Sequence, residues 1–305
     1  MASITFNCPN CKALCAFRDI YKGRRARCLQ CNQIFIIPDK DGDSPKKIKQ
    51  PKEFDEPLPG FYEAVFKKSL AAIFSEQSLP MLVFIFVVTT LKFFVAHLNY
   101  SFTIPCRGGG TIAILLPIGS AIAILVWGGI LWCYAEIIYS TAFDIESLPQ
   151  ITFGGGFGYL FSALGALYSF FVALVVVFLP VIITKFIFYL IGFELHWLIF
   201  LLAAIGGFLF PMAVLTVSIG RDLTMLFRPD YFFVPIKNAF RHYLFIAILF
   251  AILCWLQFMT RNYGDVANTT VLLNLAAVLA VQILGVFVMR IIGLFYRHFG
   301  CYFNW

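Results

Sequence analysis

Beyond Gly60 the chain is a succession of long apolar runs separated by short polar breaks; before it the pattern is polar and irregular. Six runs reach the ~18 residues that cross a bilayer as helix, near 79–98, 111–135, 157–179, 197–219, 243–260 and 269–293. The expected fold class is an all-α polytopic membrane domain over 79–305, preceded by a small metal-stabilised β module at 1–38. The region from Phe157 to Phe193 holds 37 mostly apolar residues. As helix that is ~55 Å, too long for a ~30 Å hydrocarbon core. Pro180 is expected to kink it and leave 181–193 as an outer interfacial or re-entrant piece; a seventh span is the other way of counting.

Shorter patterns fill in the rest. In "FYEAVFKKSLAAIFSE", Tyr62, Phe66, Leu70 and Ile73 share one helical face while Lys67 and Lys68 turn toward the other. That is the pattern of an amphipathic helix lying in the membrane interface, over 61–78. Residues 39–60 mix charge with proline and offer almost nothing to bury, so a disordered tether is expected there. As a flexible coil it would reach roughly 25 Å. Small residues four apart, Gly158/Ser162/Ala166, Ala203/Gly207 and Ala276/Ala280, are candidates for close helix contacts, and an oligomer is compatible with them.

Composition agrees with the pattern. Only 13% of the 305 residues are charged and 61% are hydrophobic, against roughly 25% charged in soluble domains. The first 60 residues lack an apolar leader segment, so the first span is expected to serve as its own insertion signal. Of the 23 Lys and Arg, 13 precede residue 79. The break at 220–242 carries Arg221, Arg228, Lys237 and Arg241, and the tail carries Arg297, while the alternate loops keep Arg107 and Arg261. Both termini are therefore expected inside, with the head cytoplasmic.

The head holds five of the nine cysteines. Cys8-x2-Cys11 and Cys28-x2-Cys31 stand 16 residues apart, the spacing of a four-cysteine zinc site. Each pair can wrap a tight knuckle, and two knuckles complete a tetrahedron with Zn–S near ~2.3 Å. A segment this short cannot bury a sufficient core, whereas structural Zn²⁺ supplies roughly 10–16 kcal/mol of apparent binding free energy. Four thiolates leave no open position for a catalytic water. Iron in the same ligand set, or cysteines without metal, are the alternatives. Cys15 reads as a packed thiol rather than a fifth ligand.

The start "FNCPNC", "KGRRARC" before the second knuckle and the closing "IFIIP" resemble the short N-terminal zinc-ribbon modules of bacterial proteins. The resemblance covers about an eighth of the chain and implies a metal-folded β ribbon; where that family usually has Gly after the second knuckle, this chain has Asn32. Pro211, Met212, Ala213 and Pro235 give the stretch around them a likeness to uncharacterised bacterial multi-span proteins, in which Pro-Met-Ala ends a span. That likeness implies a fold neighbourhood and no activity; the expected location is a bacterial inner membrane.

The basic cluster Lys22, Arg24, Arg25 and Arg27 is read first as a solvated loop and second as a contact for anionic lipid. Nucleic acid is disfavoured, because no aromatic residues interleave with the charges. Ionisable residues near the spans, Lys92, His97, Glu136, Lys185 and Glu194, lie within snorkelling reach of an interface and are read as anchors. No paired acids, His-Glu-x-x-His or Gly-x-Ser-x-Gly motif is present, so an enzyme is not expected. The partners expected are the lipid bilayer and a protein docked on the zinc head. A transporter or channel component with a helix broken near Pro180 is the alternative.

Overall fold

The computed structural model describes residues 3–8, 14–18, 25–27, 34–38, 46–47, 56–105, 111–144, 148–149, 156–192, 195–220, 222–265 and 267–303. Near the N-terminus, β1 (Ser3–Asn7) and β2 (Leu14–Arg18) form an antiparallel pair. A second sheet has the order β3 (Arg25–Arg27), β4 (Ile34–Ile36) and β5 (Lys46–Lys47). Phe6, Cys8, Phe35 and Ile37 are buried together, with Cys15, Phe17 and Ala26 packed against them. Phe6 meets Phe35 edge-on at 5.2 Å between ring centres and stacks on Phe17 at 5.8 Å. This aromatic triangle joins the two sheets. Lys46 and Lys47, inside the stretch read as tether, pair with Ile36 and Phe35.

The chain then enters its helical part through α1 (Phe61–Glu63), a π-helical turn over Ala64–Lys68 and α2 (Ser69–Ile73). Phe61, Val65, Ser69 and Ile73 all face inward, while Tyr62, Phe66, Leu70 and Phe74 remain exposed. The wide turn permits this strict four-residue spacing, and the Ser69 hydroxyl donates to the Ala64 carbonyl across it at 3.1 Å. Ile73 therefore leaves the face that an ideal 3.6-residue period gives it with Tyr62, Phe66 and Leu70, which stay exposed while it is buried. Lys67 pairs with Glu63 at 3.2 Å in solvent.

The long helices are α3 (Leu79–Val95), α4 (Ile118–Ala142), α5 (Gly156–Ile191) and α6 (His196–Gly220), then, after the short surface helix α7 (Asp230–Asn238), α8 (Phe240–Met259) and α9 (Val271–Phe299). Six helical stretches are long and apolar enough to cross a membrane, which fits an integral, polytopic membrane protein. Two boundaries differ from the sequence pattern. Residues 111–116, expected to open the second span, form strand β7 (Thr111–Leu116) against β6 (Tyr100–Pro105). The β-branched residues of "TIAILLP" suit a strand, and the helix begins only after Pro117. Secondly, the helix does not end at Pro180: α5 runs through it for 36 residues, so 181–191 extend α5 rather than forming a separate re-entrant piece. In hydrocarbon every other peptide group is still best satisfied by staying helical.

α4 and α9 occupy the centre. α4 packs against α3, α5, α6 and α9, and α9 also touches α3, α6 and α8. By contrast α5 is largely exposed, and its outer half presents Ile182, Phe186, Tyr189 and Leu190 outward. The close α4–α9 crossing uses Gly285 and Gly293, while Ala276 and Ala280, the pair expected from spacing, face outward. Gly207 likewise has no neighbour where a Cβ would stand.

The helix ends nearest residue 61 form a basal face that is tied together by polar contacts. Arg297 pairs with Asp144 at 2.6 Å. The Ser78 hydroxyl donates to the Ala72 carbonyl at 2.6 Å and accepts the Leu148 N–H at 3.0 Å. Leu58 donates its N–H to the His298 carbonyl at 2.8 Å, and the His298 ring nitrogen Nδ1 donates back to the Leu58 carbonyl at 3.0 Å. Next to this strap Phe61 meets His298, His242 and Phe299 within 5.7 Å.

A Cβ at Gly293 would lie 2.6 Å from the Ile138 carbonyl oxygen, a backbone atom that cannot step aside. Gly293→Ala is therefore expected to lower stability in detergent by ~1–3 kcal/mol. Gly207→Ala, with open space, is expected to be neutral or to gain up to ~1 kcal/mol from helix propensity. Thermal unfolding of the two variants in one detergent checks the contrast, and equal losses would contradict the packing described.

Candidate metal centre and buried polar groups

The strands place the cysteine pairs. β1 and β2 are joined by residues 8–13, which hold Cys8 and Cys11; β3 and β4 are joined by 28–33, which hold Cys28 and Cys31. Each pair thus falls in the connection of an antiparallel hairpin, where a knuckle can form without breaking a strand. Cys8 is 1% exposed, at the end of β1 beside the aromatic core. Cys11, Cys28 and Cys31 lie outside the described residues. Among the described residues no group of three or more His, Cys, Asp or Glu could hold a metal, as follows when three of four ligands are outside them. The donor set and the buried Cys8 fit a tetrathiolate Zn²⁺ site. Cys15 packs on the core opposite Phe6, the environment of a small hydrophobe.

Of the basic cluster, Arg25 and Arg27 lie in β3 opposite Ile36 and Ile34; Lys22 and Arg24 lie outside the described residues. Among the ionisable residues near the spans, Lys92 does not reach out to an interface. It is 8% exposed, with its ammonium 4.4 Å over the Trp127 ring, where the negative ring face replaces part of its hydration. His97 packs on Tyr263 at the outer end of α3, consistent with an anchor. Glu136 is half-buried in α4, and Lys185 is exposed on the outer half of α5. Glu194 lies outside the described residues.

A polar junction that the search for ionisable residues missed lies at the meeting of α4, α8 and α9. The Tyr134 hydroxyl donates to Gln282 Oε1 at 2.8 Å, and Gln282 Nε2 donates to Gln257 Oε1 at 3.2 Å. Arg290, 5% exposed, stands two turns from Gln282 on the buried side of α9. Both glutamines are legible in the sequence as neutral polar residues inside apolar runs, each of which must find a partner in hydrocarbon. Pro211 poses a related problem. It sits inside α6 rather than at its end, so the Pro-Met-Ala stretch is buried mid-helix. Tyr243 donates its hydroxyl to the Phe208 carbonyl at 2.6 Å, one residue along from the Gly207 carbonyl that Pro211 leaves without its helical donor. On the basal face Asp222 accepts the Thr224 N–H at 2.9 Å, which holds its carboxyl below the usual carboxylate range.

Comparison with known protein families, curated proteins and solved structures finds no match to this chain.

A Cβ at Gly285 would collide with the Tyr134 hydroxyl and displace it from Gln282. Gly285→Ala is expected to destabilise by ~1–3 kcal/mol and Tyr134→Phe by about 0.6 kcal/mol, the average worth of such a bond in a membrane. Removing the hydroxyl makes room, so the double variant is expected to be more stable than Gly285→Ala alone. Additive losses in thermal unfolding would show that the two residues do not meet.

Proposed function

We propose that this is a bacterial inner-membrane protein whose cytoplasmic zinc ribbon docks or organises partner proteins at the membrane surface. The observation that carries the reading is that both Cys-x2-Cys pairs fall in the connections of antiparallel hairpins, with Cys8 buried beside Phe6 and Phe35. The core of the head is small among the described residues, with Phe6, Cys8, Phe35 and Ile37 at its centre, and domains below ~40 residues generally need a metal, disulfides or a partner. A closed tetrathiolate site folds a surface and leaves no position for substrate, so the module binds rather than catalyses.

The basal face supports a cytoplasmic head. Lys67, Lys68, Arg228, Lys237 and Arg241 are exposed there, and Arg297 lies among them. An excess of Lys and Arg on short loops marks the cytoplasmic side. The strap at Leu58 fixes the point from which the head hangs, beside the end of α9. The transporter or channel alternative drew on a helix broken at Pro180. With α5 running through that residue, this feature no longer favours it.

Three forms of the full membrane protein test the reading: wild type, Cys28→Ser/Cys31→Ser, and a deletion of residues 1–38. Each carries a photo-crosslinking residue on the basal face at Phe227, and the wild type and cysteine variant carry a second at the exposed Ala16. Crosslinks from position 16 to a discrete cytoplasmic protein are expected in the wild type and lost in the cysteine variant, with all three forms fully membrane-inserted. The same proteins recovered with and without the ribbon would refute the docking role.

A further inference from the structure

The helical part contains a cavity of its own, away from the head. A cleft of about 520 Å³ lies between α5, α6 and α8, within the range of small-molecule sites, ~300–1,000 Å³. Its walls are apolar: Leu174 and Phe178 on α5, Gly207 on α6, and Leu244, Ile248 and Ala251 on α8. Leu244 is 39% and Ile248 52% exposed, so the cleft opens sideways, at the depth of the spans. Gly207 does not serve a close helix crossing, since a Cβ there would point into open space. Its effect is to keep this wall low.

The basal end of the cleft has a different chemistry. Phe240, the first residue of α8, packs on Phe208 at 6.3 Å. Arg241 stands next to it, one turn from Leu244 and two from Ile248. Lys237 precedes it at the end of α7. Both cations are exposed, and neither has an ion-pair partner among the described residues. A sideways apolar slot at membrane depth, with exposed Arg241 one turn before its lining residue Leu244 and a second cation four residues earlier in the chain, has the polarity of one molecule. That molecule is a phospholipid, with an acyl chain in the slot and an anionic headgroup at the cations.

We infer that the cleft between α5, α6 and α8 holds an anionic phospholipid, its acyl chain along Gly207 and Ala251 and its phosphate at Arg241 and Lys237. The bilayer supplies the occupant directly, and the charge at the basal end selects it over zwitterionic lipid. This site is independent of what the ribbon binds.

The test uses the full chain in vesicles of equal parts phosphatidylcholine and phosphatidylglycerol, with a trace of phosphatidylglycerol carrying a diazirine on its acyl chain. Photolysis of the wild type is expected to label residues 204–210 of α6 and 244–254 of α8 above the exposed outer half of α5. Native mass spectrometry from mild detergent is expected to retain one phosphatidylglycerol per chain. Gly207→Phe, which fills the slot, should remove it. Arg241→Gln should keep a lipid but reduce the preference for phosphatidylglycerol roughly five-fold, the worth of one basic residue at a charged membrane surface. Labelling spread evenly over the exposed faces of α5, α6 and α8 would overturn the proposal without recourse to a variant. Equal retention by Gly207→Phe, or a headgroup preference unchanged in Arg241→Gln, would overturn it as well.

Discussion

Hydrocarbon contains no water, so a peptide group placed there must find its hydrogen-bond partner inside the protein. That constraint accounts for most of this structure. It makes six of the apolar stretches helical and carries α5 through Pro180 without ending it. It also brings Tyr243 to the Phe208 carbonyl near Pro211. Polar side chains respond to it as well: Tyr134 bonds Gln282 and Gln282 bonds Gln257 across three helices, and Lys92 turns to Trp127. Because lipid tails are as apolar as leucine, little hydrophobic force draws these helices together; close packing and buried polar pairs do. Hence α4 and α9, with glycines at their crossing, form the centre, while α5 is left mostly to lipid.

The head is governed by the opposite solvent. In water a short segment is held by what it can bury, and here that is an aromatic triangle with one buried cysteine. The two parts meet in the chain at Leu58, whose peptide is fastened to His298 from both sides. A neighbouring cluster of Phe61, Tyr62, His242 and Phe299 makes that point a firm base.

The spans were legible in the sequence because length and hydropathy are local properties, and a run such as 197–219 needs no tertiary knowledge to be found. Their edges were less so. "TIAILL" is equally apolar as strand or as the start of a helix, and only the pairing with Tyr100–Pro105 decides it. The contact glycines were misassigned for a similar reason: spacing shows that Ala276 and Ala280 share a face, not which face meets a neighbour. The wide turn at Ala64–Lys68, which moved Ile73 inward, leaves no composition signal at all. Of the candidate metal site, ligand identity and spacing came from sequence alone; strand pairing added the reason why each pair sits where it does.

We propose that four thiolates close on one divalent ion and so fold the head. Elemental analysis of the full-length protein, purified in mild detergent without chelator, measures this most directly. One zinc per chain is expected; preparations free of stoichiometric metal, or carrying iron in its place, would contradict a zinc-folded head.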